Sequence, residues 1–295
     1  MKKILFIFII FISSLFANTI NIDSSSLKEI LTSSQIFIDT SKALTIKEIS
    51  NNQVNFEDTN NTIKKFGYSP NFKVWVKFTI HNNENKAISK ILEFDNPLVT
   101  DILLYESNKL IGKEGLLNKK VERKTINPTF LINLDKDEIK TYYMEVFSKK
   151  TSLTLKLNLY SYDDFYSKEI FHQIILSLFF GAMIILALYN LSIYFMIKDI
   201  SYFYYVAYIV TLVLHHLLYV GFGSLYIFNS FLMSYIIDYA AIFVSLPVIF
   251  LSLFSKSFLQ TVQYRKINIA LNSLLVILVL SVLFFIFTDY FAKYR

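Results

Sequence analysis

The chain has 295 residues, of which 29 are basic, 23 acidic and none cysteine, and 54% of its positions are hydrophobic. The charges are unevenly placed: residues 18–168 carry 21 basic and 19 acidic side chains, and residues 169–295 carry only 10 charged ones. That split excludes a uniformly soluble enzyme and calls for a water-exposed domain of ordinary size joined to a membrane-embedded one. The near balance of signs in the first part implies no nucleic-acid surface, despite a formal net charge of +6. Without cysteine there is no disulfide, thiolate metal site or cysteine nucleophile, and the compartment stays open on that count.

Lys2 and Lys3 precede an apolar run, Ile4 to Ile12, and Ser13, Ser14 and Ala17 then supply small residues. This pattern predicts a signal peptide over 1–17, cleaved after Ala17. Leu15 is not the small residue preferred three positions before a cut, so an uncleaved anchor is the alternative. Either outcome sends residue 18 onward out of the cytoplasm.

Within a first domain at 18–168, the pattern from Ser34 to Tyr160 alternates with period two, as in strands with one buried face. Val74, Val76, Phe78 and Ile80 alternate with Trp75, Lys77, Thr79 and His81, and Leu153, Leu155, Leu157 and Leu159 alternate with Thr154, Lys156, Asn158 and Tyr160. Weaker strands fall at Gln35 to Ile38, Ile88 to Phe94, Ile102 to Tyr105, Phe130 to Leu134 and Tyr142 to Phe147. Turn chemistry separates them at Asn82-Asn83, Asp95-Asn96-Pro97, Ser107-Asn108 and Asp135-Lys136-Asp137. The count and spacing predict a periplasmic β-sandwich, jelly-roll-like ahead of immunoglobulin-like.

Four apolar stretches follow, at about 170–197, 202–220, 236–254 and 267–287, and they predict an α-helical transmembrane bundle. The export signal places the turn Lys198-Asp199-Ile200-Ser201 in the cytoplasm and the charge-free loop Gly221 to Tyr235 outside. The next loop, with Lys256, Arg265 and Lys266, falls inside, where basic loops belong. The tail Thr288 to Arg295 then returns outside without a hydrophilic module, so the chain reads as a fragment of a longer frame or a natural truncation.

Two groups of residues invite a binding role. Trp75, the only tryptophan, lies on the strand face opposite Val74 and Val76. It offers a flat ring for stacking on a ligand, or else packs beneath a loop with its N–H satisfied. Asp95, Asn96 and Tyr105 are companion candidates, although Asp95 and Asn96 before Pro97 are first of all turn formers. In the membrane, His172, His215 or His216, and Asp238 fall at similar depth near the outer ends of their spans. Three readings stand for them: interhelical hydrogen bonding, which leads; a proton- or ligand-sensing site; and bis-histidine haem ligation. No metal or cofactor is expected. Six glycines, with no G-x-G-x-x-G, P-loop, H-E-x-x-H or G-x-S-x-G motif, argue against an enzyme.

Several of these segments together carry a family resemblance. In the outer domain they are Val74-Trp75-Val76-Lys77-Phe78-Thr79-Ile80-His81-Asn82, Asn96-Pro97-Leu98-Val99-Thr100-Asp101-Ile102-Leu103-Leu104-Tyr105, and the closing strand Ser152 to Leu159. In the membrane they are Gly181, Tyr189-Asn190-Leu191, Lys198-Asp199, Tyr202 with Tyr204 and Tyr205, and Gly221-Phe222-Gly223. In order and spacing the chain resembles the bacterial seven-transmembrane receptors with diverse intracellular signalling modules, including their type 2 extracellular domain. The resemblance implies a jelly-roll-like periplasmic sensor for carbohydrate or another small ligand. It further implies seven helices and a cytoplasmic histidine kinase or diguanylate cyclase, and the chain departs from that plan by ending after its fourth span.

The expected function is a bacterial inner-membrane signal-transduction receptor, with a transporter or membrane-assembly component as the alternative. Its expected partners are a small periplasmic ligand and membrane lipid, with a homodimer and a separate cytoplasmic kinase or cyclase left open. The path Ser161 to Glu169 contains no Gly or Pro and reads as a stiff connector between sensor and first span.

Overall fold

A computed structural model describes residues 19–24, 27–51, 54–118 and 123–287. The expected signal peptide and the tail from Thr288 lie outside the described residues. The chain divides into two compact units, residues 1–168 and 169–295.

The first unit holds thirteen strands among its described residues: β1 (Thr19–Ile22), β2 (Leu27–Glu29), β3 (Gln35–Asp39), β4 (Glu57–Asp58), β5 (Lys64–Tyr68), β6 (Lys73–Asn82), β7 (Ile88–Phe94), β8 (Asp101–Glu106), β9 (Lys109–Glu114), β10 (Thr129–Leu134), β11 (Ile139–Phe147), β12 (Ser152–Leu155) and β13 (Leu157–Tyr160). They form a seven-stranded sheet in the order β4-β3-β6-β11-β8-β9, with β1 also on β6. A four-stranded sheet runs β10-β7-β13-β2, and β12 pairs with β5. The chain passes repeatedly from one large sheet to the other, and the two sheets share one core as a β-sandwich.

β6 organises the larger sheet. Its ten residues are rich in β-branched and aromatic side chains suited to a pleated surface. One edge pairs with β11 from Val146↔Val74 to Ile139↔His81, and the other with β3 antiparallel and then β1 parallel. The inward residues Val74, Val76, Phe78 and Ile80 meet Leu92 and Phe94 of β7, Phe130 and Ile132 of β10, and Leu157 and Leu159 of β13 in one core. Each such side chain contributes about 1.5–3 kcal/mol relative to exposure.

The predicted closing strand is continuous in pattern but divided in structure. Leu153 and Leu155 stay on β12 beside β5, whereas Leu157 and Leu159 enter the four-stranded sheet on β13. The break falls at Lys156, whose carbonyl accepts from the Asp95 amide and whose ammonium reaches the Asp95 carboxylate at 2.6 Å. The alternation predicted neither the strands β1, β2, β4, β5 and β9 nor one short helix, α1 (Ile46–Ser50).

The helical elements that follow are α2 (Tyr162–Ile197), α3 (Ile200–Tyr219), α4 (Phe222–Tyr226), α5 (Ser230–Asp238), α6 (Ala240–Phe258) and α7 (Arg265–Phe287). Four of them, α2, α3, α6 and α7, are long and apolar enough to cross a membrane. Their apolar side chains remain largely outward: Phe171, Ile185, Val276 and Leu280 are all exposed. This suits lipid, where a helix satisfies its own backbone polar groups.

α2 begins at Tyr162, well before the predicted span start at Ile170. The tight turn after it is fixed by Lys198 in the left-handed region (φ 62°) and by Asp199, whose side chain caps α3 by accepting from the Ser201 amide at 2.8 Å. α3 and α6 pack together through Tyr205 on Phe254 and a Ser201–Ser257 hydroxyl pair at 2.9 Å. The third span differs from expectation: α5 ends at Asp238, Tyr239 leaves helical geometry, and the spanning helix starts at Ala240. The ionisable Asp238 therefore closes α5, ahead of the spanning helix, with its Oδ1 buried. The loop from Gly221 is ordered as α4 and α5.

Two glycines in the sandwich have positive φ and opposite surroundings. A Cβ on Gly115 (φ +124°) would stand 2.5 Å from the Thr100 carbonyl oxygen, whereas one on Gly67 (φ +84°) would meet nothing within 4 Å. Gly115→Ala is expected to destabilise the sandwich by at least about 2 kcal/mol and Gly67→Ala by about 1 kcal/mol. Denaturant titration followed by Trp75 emission checks this, and equal losses would contradict it.

Candidate functional site

The strand register sends Trp75 to the outer face of the seven-stranded sheet, away from the main core. There it forms a second apolar cluster with Ile49 and Tyr143, against which Phe37, Leu44, Ile46, Val54, Phe56 and Tyr105 pack. Trp75 and Tyr105 are ring neighbours at 5.9 Å with planes inclined by 31°. Trp75 is 0% exposed, so its ring does not stand open at the surface as a stacking platform. α1 is the reason: it lays Ile46 and Ile49 over the ring.

α1 owes its position to local chemistry that the sequence carried. Thr45 and Glu48 form a capping box, with Glu48 Oε2 accepting from the Thr45 amide at 2.7 Å and the Thr45 hydroxyl at 2.8 Å. The lead-in is tied to the end of β3 by Asp39, which accepts from the Ser41 hydroxyl and from the amides of Lys42 and Leu44.

Around the cluster the charges are already engaged. Lys73 pairs with Glu145 at 2.5 Å, Lys77 lies over the rings of Phe56 and Tyr143, and Asn118 donates to Asp101. Burial, and then the charges of Glu145 and Asp101, push the Tyr105 phenol up to about 12, so it remains a neutral hydroxyl. Burial also raises the Asp101 carboxyl.

Asp95 and Asn96 belong elsewhere, just beyond β7 in the four-stranded sheet, and the fold does not bring them to Trp75 and Tyr105. Asn96 is 6% exposed and shapes the turn: its side-chain oxygen accepts from the Leu98 amide at 3.0 Å, and its NH2 group donates to the Ser152 carbonyl at 3.1 Å. Asp95 joins a polar network that sequence reading missed. The Asn127 NH2 group donates to both Asp95 and Glu93 at 2.9 Å. Glu93 is fully buried and accepts from Lys168 Nζ at 2.7 and 2.6 Å. The ammonium of Lys168 also lies 4.8 Å from the Tyr160 ring centre.

Lys168 stands in the first turns of α2, beside the fully buried Phe165, whose ring meets Tyr160 at 5.7 Å. The start of α2 is thereby part of the sandwich unit. The sequence signal was present: Glu93 alternates with Leu92 and Phe94, placing a carboxylate on the sheet face opposite the core, where a covering cation is required.

The membrane candidates are likewise only partly assembled. His215 stacks on Tyr219 at 6.1 Å, and His216 neighbours Phe179 at 6.0 Å while its Nδ1 lies 3.1 Å from the Leu212 carbonyl. His172 is exposed and, among the described residues, makes no hydrogen bond or ring contact. Asp238 ends α5. No three His, Asp or Glu side chains among the described residues converge on a metal-sized site. The outer part of α2 is instead held by Gln173, which accepts from the Tyr226 hydroxyl at 2.5 Å and donates to Glu169 at 2.7 Å.

Two stretches of the chain match known families. Residues 32–161 match the family described as 7TMR-DISM extracellular 2, and residues 172–295 match the one described as 7TM diverse intracellular signalling. No curated protein matches the chain. Among solved structures, a β-glucosidase from Kluyveromyces marxianus is similar at 12% identity and a TM-score of 0.27, over 42% of this chain and 16% of that one. A GH31 α-xylosidase from Xanthomonas citri is similar at 8% identity and a TM-score of 0.22, over 43% and 16%. The chain spans only that small share of either enzyme, and the likeness is too slight to bear on activity.

Removing Lys168 would leave Glu93 buried without its cation. Lys168→Met is expected to destabilise the sandwich by roughly 1–3 kcal/mol, the lower part of the usual range because the lysine is part-exposed. Adding Glu93→Gln should recover most of that loss, and a double-mutant cycle by denaturant titration measures it; strict additivity would contradict the pairing. For Tyr105, whose proton is held more tightly in the folded state, the stabilising contribution is full below pH 10.0 and lost as pH rises through about 12. Tyrosinate absorbance compared with Tyr105→Phe reads this directly.

Proposed function

The chain belongs to the seven-transmembrane receptors with diverse intracellular signalling, and on that premise we propose that its β-sandwich senses a small ligand and relays binding to the membrane helices through α2. It is a multi-pass membrane protein with an extracellular sensory domain. We place it in a bacterial inner membrane, with the sandwich in the periplasm. It acts by binding rather than by catalysis, and carbohydrate is the ligand class that the family resemblance implies. Its output passes to a cytoplasmic kinase or cyclase, and a homodimer is the assembly in which such a relay operates.

The observation that carries this reading is the helix itself. α2 runs from Tyr162 to Ile197 without interruption, and its first turns are fastened to the sandwich by Lys168 on Glu93 and by Phe165 on Tyr160. A shift of the four-stranded sheet at Glu93 therefore displaces a helix that continues as an apolar span. Ligand biases such a shift only through its differential affinity for two arrangements.

The test uses the full chain in nanodiscs. A thermal-shift screen against sugars and peptidoglycan fragments is expected to find a ligand that raises the melting temperature of the sandwich. A single cysteine at Ser255, unique because the chain has none, should change its labelling rate when that ligand binds. A Gly-Ser insertion after Tyr160 should abolish the change in labelling while leaving the thermal shift intact. A labelling response that survives the insertion would refute the relay, and a screen without any shift would count against the sensor.

A further inference from the structure

The indole N–H of Trp75 is fully buried and has no hydrogen-bond partner. Buried polar groups are nearly always paired, so this donor calls for an explanation. The hydroxyls of Tyr105 and Tyr143, in the same cluster, make no hydrogen bond to the described residues and are not among the fully buried polar atoms. The charged groups nearby are engaged with one another or with ring faces.

The cover over these groups is thin. The main core is closed by a whole second sheet, but the Trp75 cluster is overlaid by Ser41–Ser50, a lead-in and one five-residue helix, together with Val54 and Phe56 that follow it. Among the described residues, hydrogen bonds hold that segment to the rest of the sandwich only toward its beginning, at Asp39 and through Lys42 Nζ to Asn71 Oδ1 at 2.8 Å. From Thr45 to Ser50 the hydrogen bonds are internal to the segment, and apolar contacts of Ile46 and Ile49 hold it down. Between Thr45 and Ser50 the described contacts that must break for the segment to lift are therefore apolar ones.

We propose that Ser41–Ser50 is a flap over a ligand site whose floor is Trp75, Tyr105 and Tyr143, and that the ligand takes the place of Ile49 above the indole. The inference rests on the sensor reading above and names the site and ligand chemistry for it. The buried group left to pair is one N–H, with two tyrosine hydroxyls beside it, and the nearby charges of Lys73, Glu145 and Lys77 are engaged with one another or with ring faces. The ligand is therefore a neutral ring compound with a flat apolar face and a hydrogen-bond acceptor at its edge to meet the indole N–H. A pyranose and a heteroaromatic both have this chemistry, and the two are separated by experiment.

Because the flap must open first, apparent affinity is reduced by the fraction of molecules that are open, and loosening the flap strengthens binding. Trp75 is the sole tryptophan, so its emission reports on the site in the full chain. Methyl β-glucopyranoside and caffeine serve as probes, titrated into wild type, Ile49→Ala and the milder surface variant Lys42→Ala in nanodiscs. At least one probe is expected to change Trp75 emission saturably, with an apparent Kd about tenfold lower in Ile49→Ala and a smaller gain in Lys42→Ala. Acrylamide quenching of Trp75 should rise in the same order without probe.

No saturable change with either probe in any of the three proteins overturns the proposal, as does weaker binding when the flap is loosened. A ligand from the thermal-shift screen that binds without altering Trp75 emission, and equally well in Ile49→Ala, would place the sensory site elsewhere. That result would leave the sensor reading standing while this one falls.

Discussion

A carboxylate taken wholly out of water must keep a cation beside it, and Glu93 obeys that rule by drawing Lys168 onto the four-stranded sheet. Much else follows from this one pairing. The lysine can reach Glu93 only if α2 starts against the sheet, and Phe165 then buries its ring beside Tyr160. Asn127 completes the coordination by donating to Glu93 and Asp95 together, and Asp95 in turn holds Lys156 at the break between β12 and β13. The chain thus turns from strand to helix within a single hydrogen-bonded network.

The two outer faces of the sandwich carry different chemistry. The outer face of the larger sheet carries the aromatic cluster around Trp75, closed by α1. The outer face of the smaller sheet carries the charged network that grips α2. Between them lies the common core, in which Val76 and Phe78 from one sheet share a cluster with Leu92 and Phe94 from the other.

The sequence was most legible where one physical demand dominated. The alternation in β6 follows from a strand with a buried face, and the four apolar stretches follow from the need to satisfy backbone groups in lipid. It was least legible where tertiary partners decided the outcome. The even alternation from Leu153 to Leu159 gives no sign that Lys156 will be claimed by Asp95 and divide the strand between two partners. Trp75 was placed on the correct face, but its cover came from a helix too short for periodicity to reveal; only the Thr45–Glu48 capping pair announced it. The third span was drawn too early because hydropathy averages over Asp238, whereas the backbone breaks at Tyr239 to leave that carboxylate outside the spanning helix.

The most direct test of the account is native-state hydrogen exchange on the full chain in a bilayer, read at the amides of Phe165 to Lys168. If the network around Glu93 builds the start of α2 into the sandwich, these amides exchange as slowly as those of β7 and β13 and are released together with them in denaturant. Rapid exchange, at the rate of a frayed helix end while β7 stays protected, would show that the helix is merely tethered there and would contradict the account.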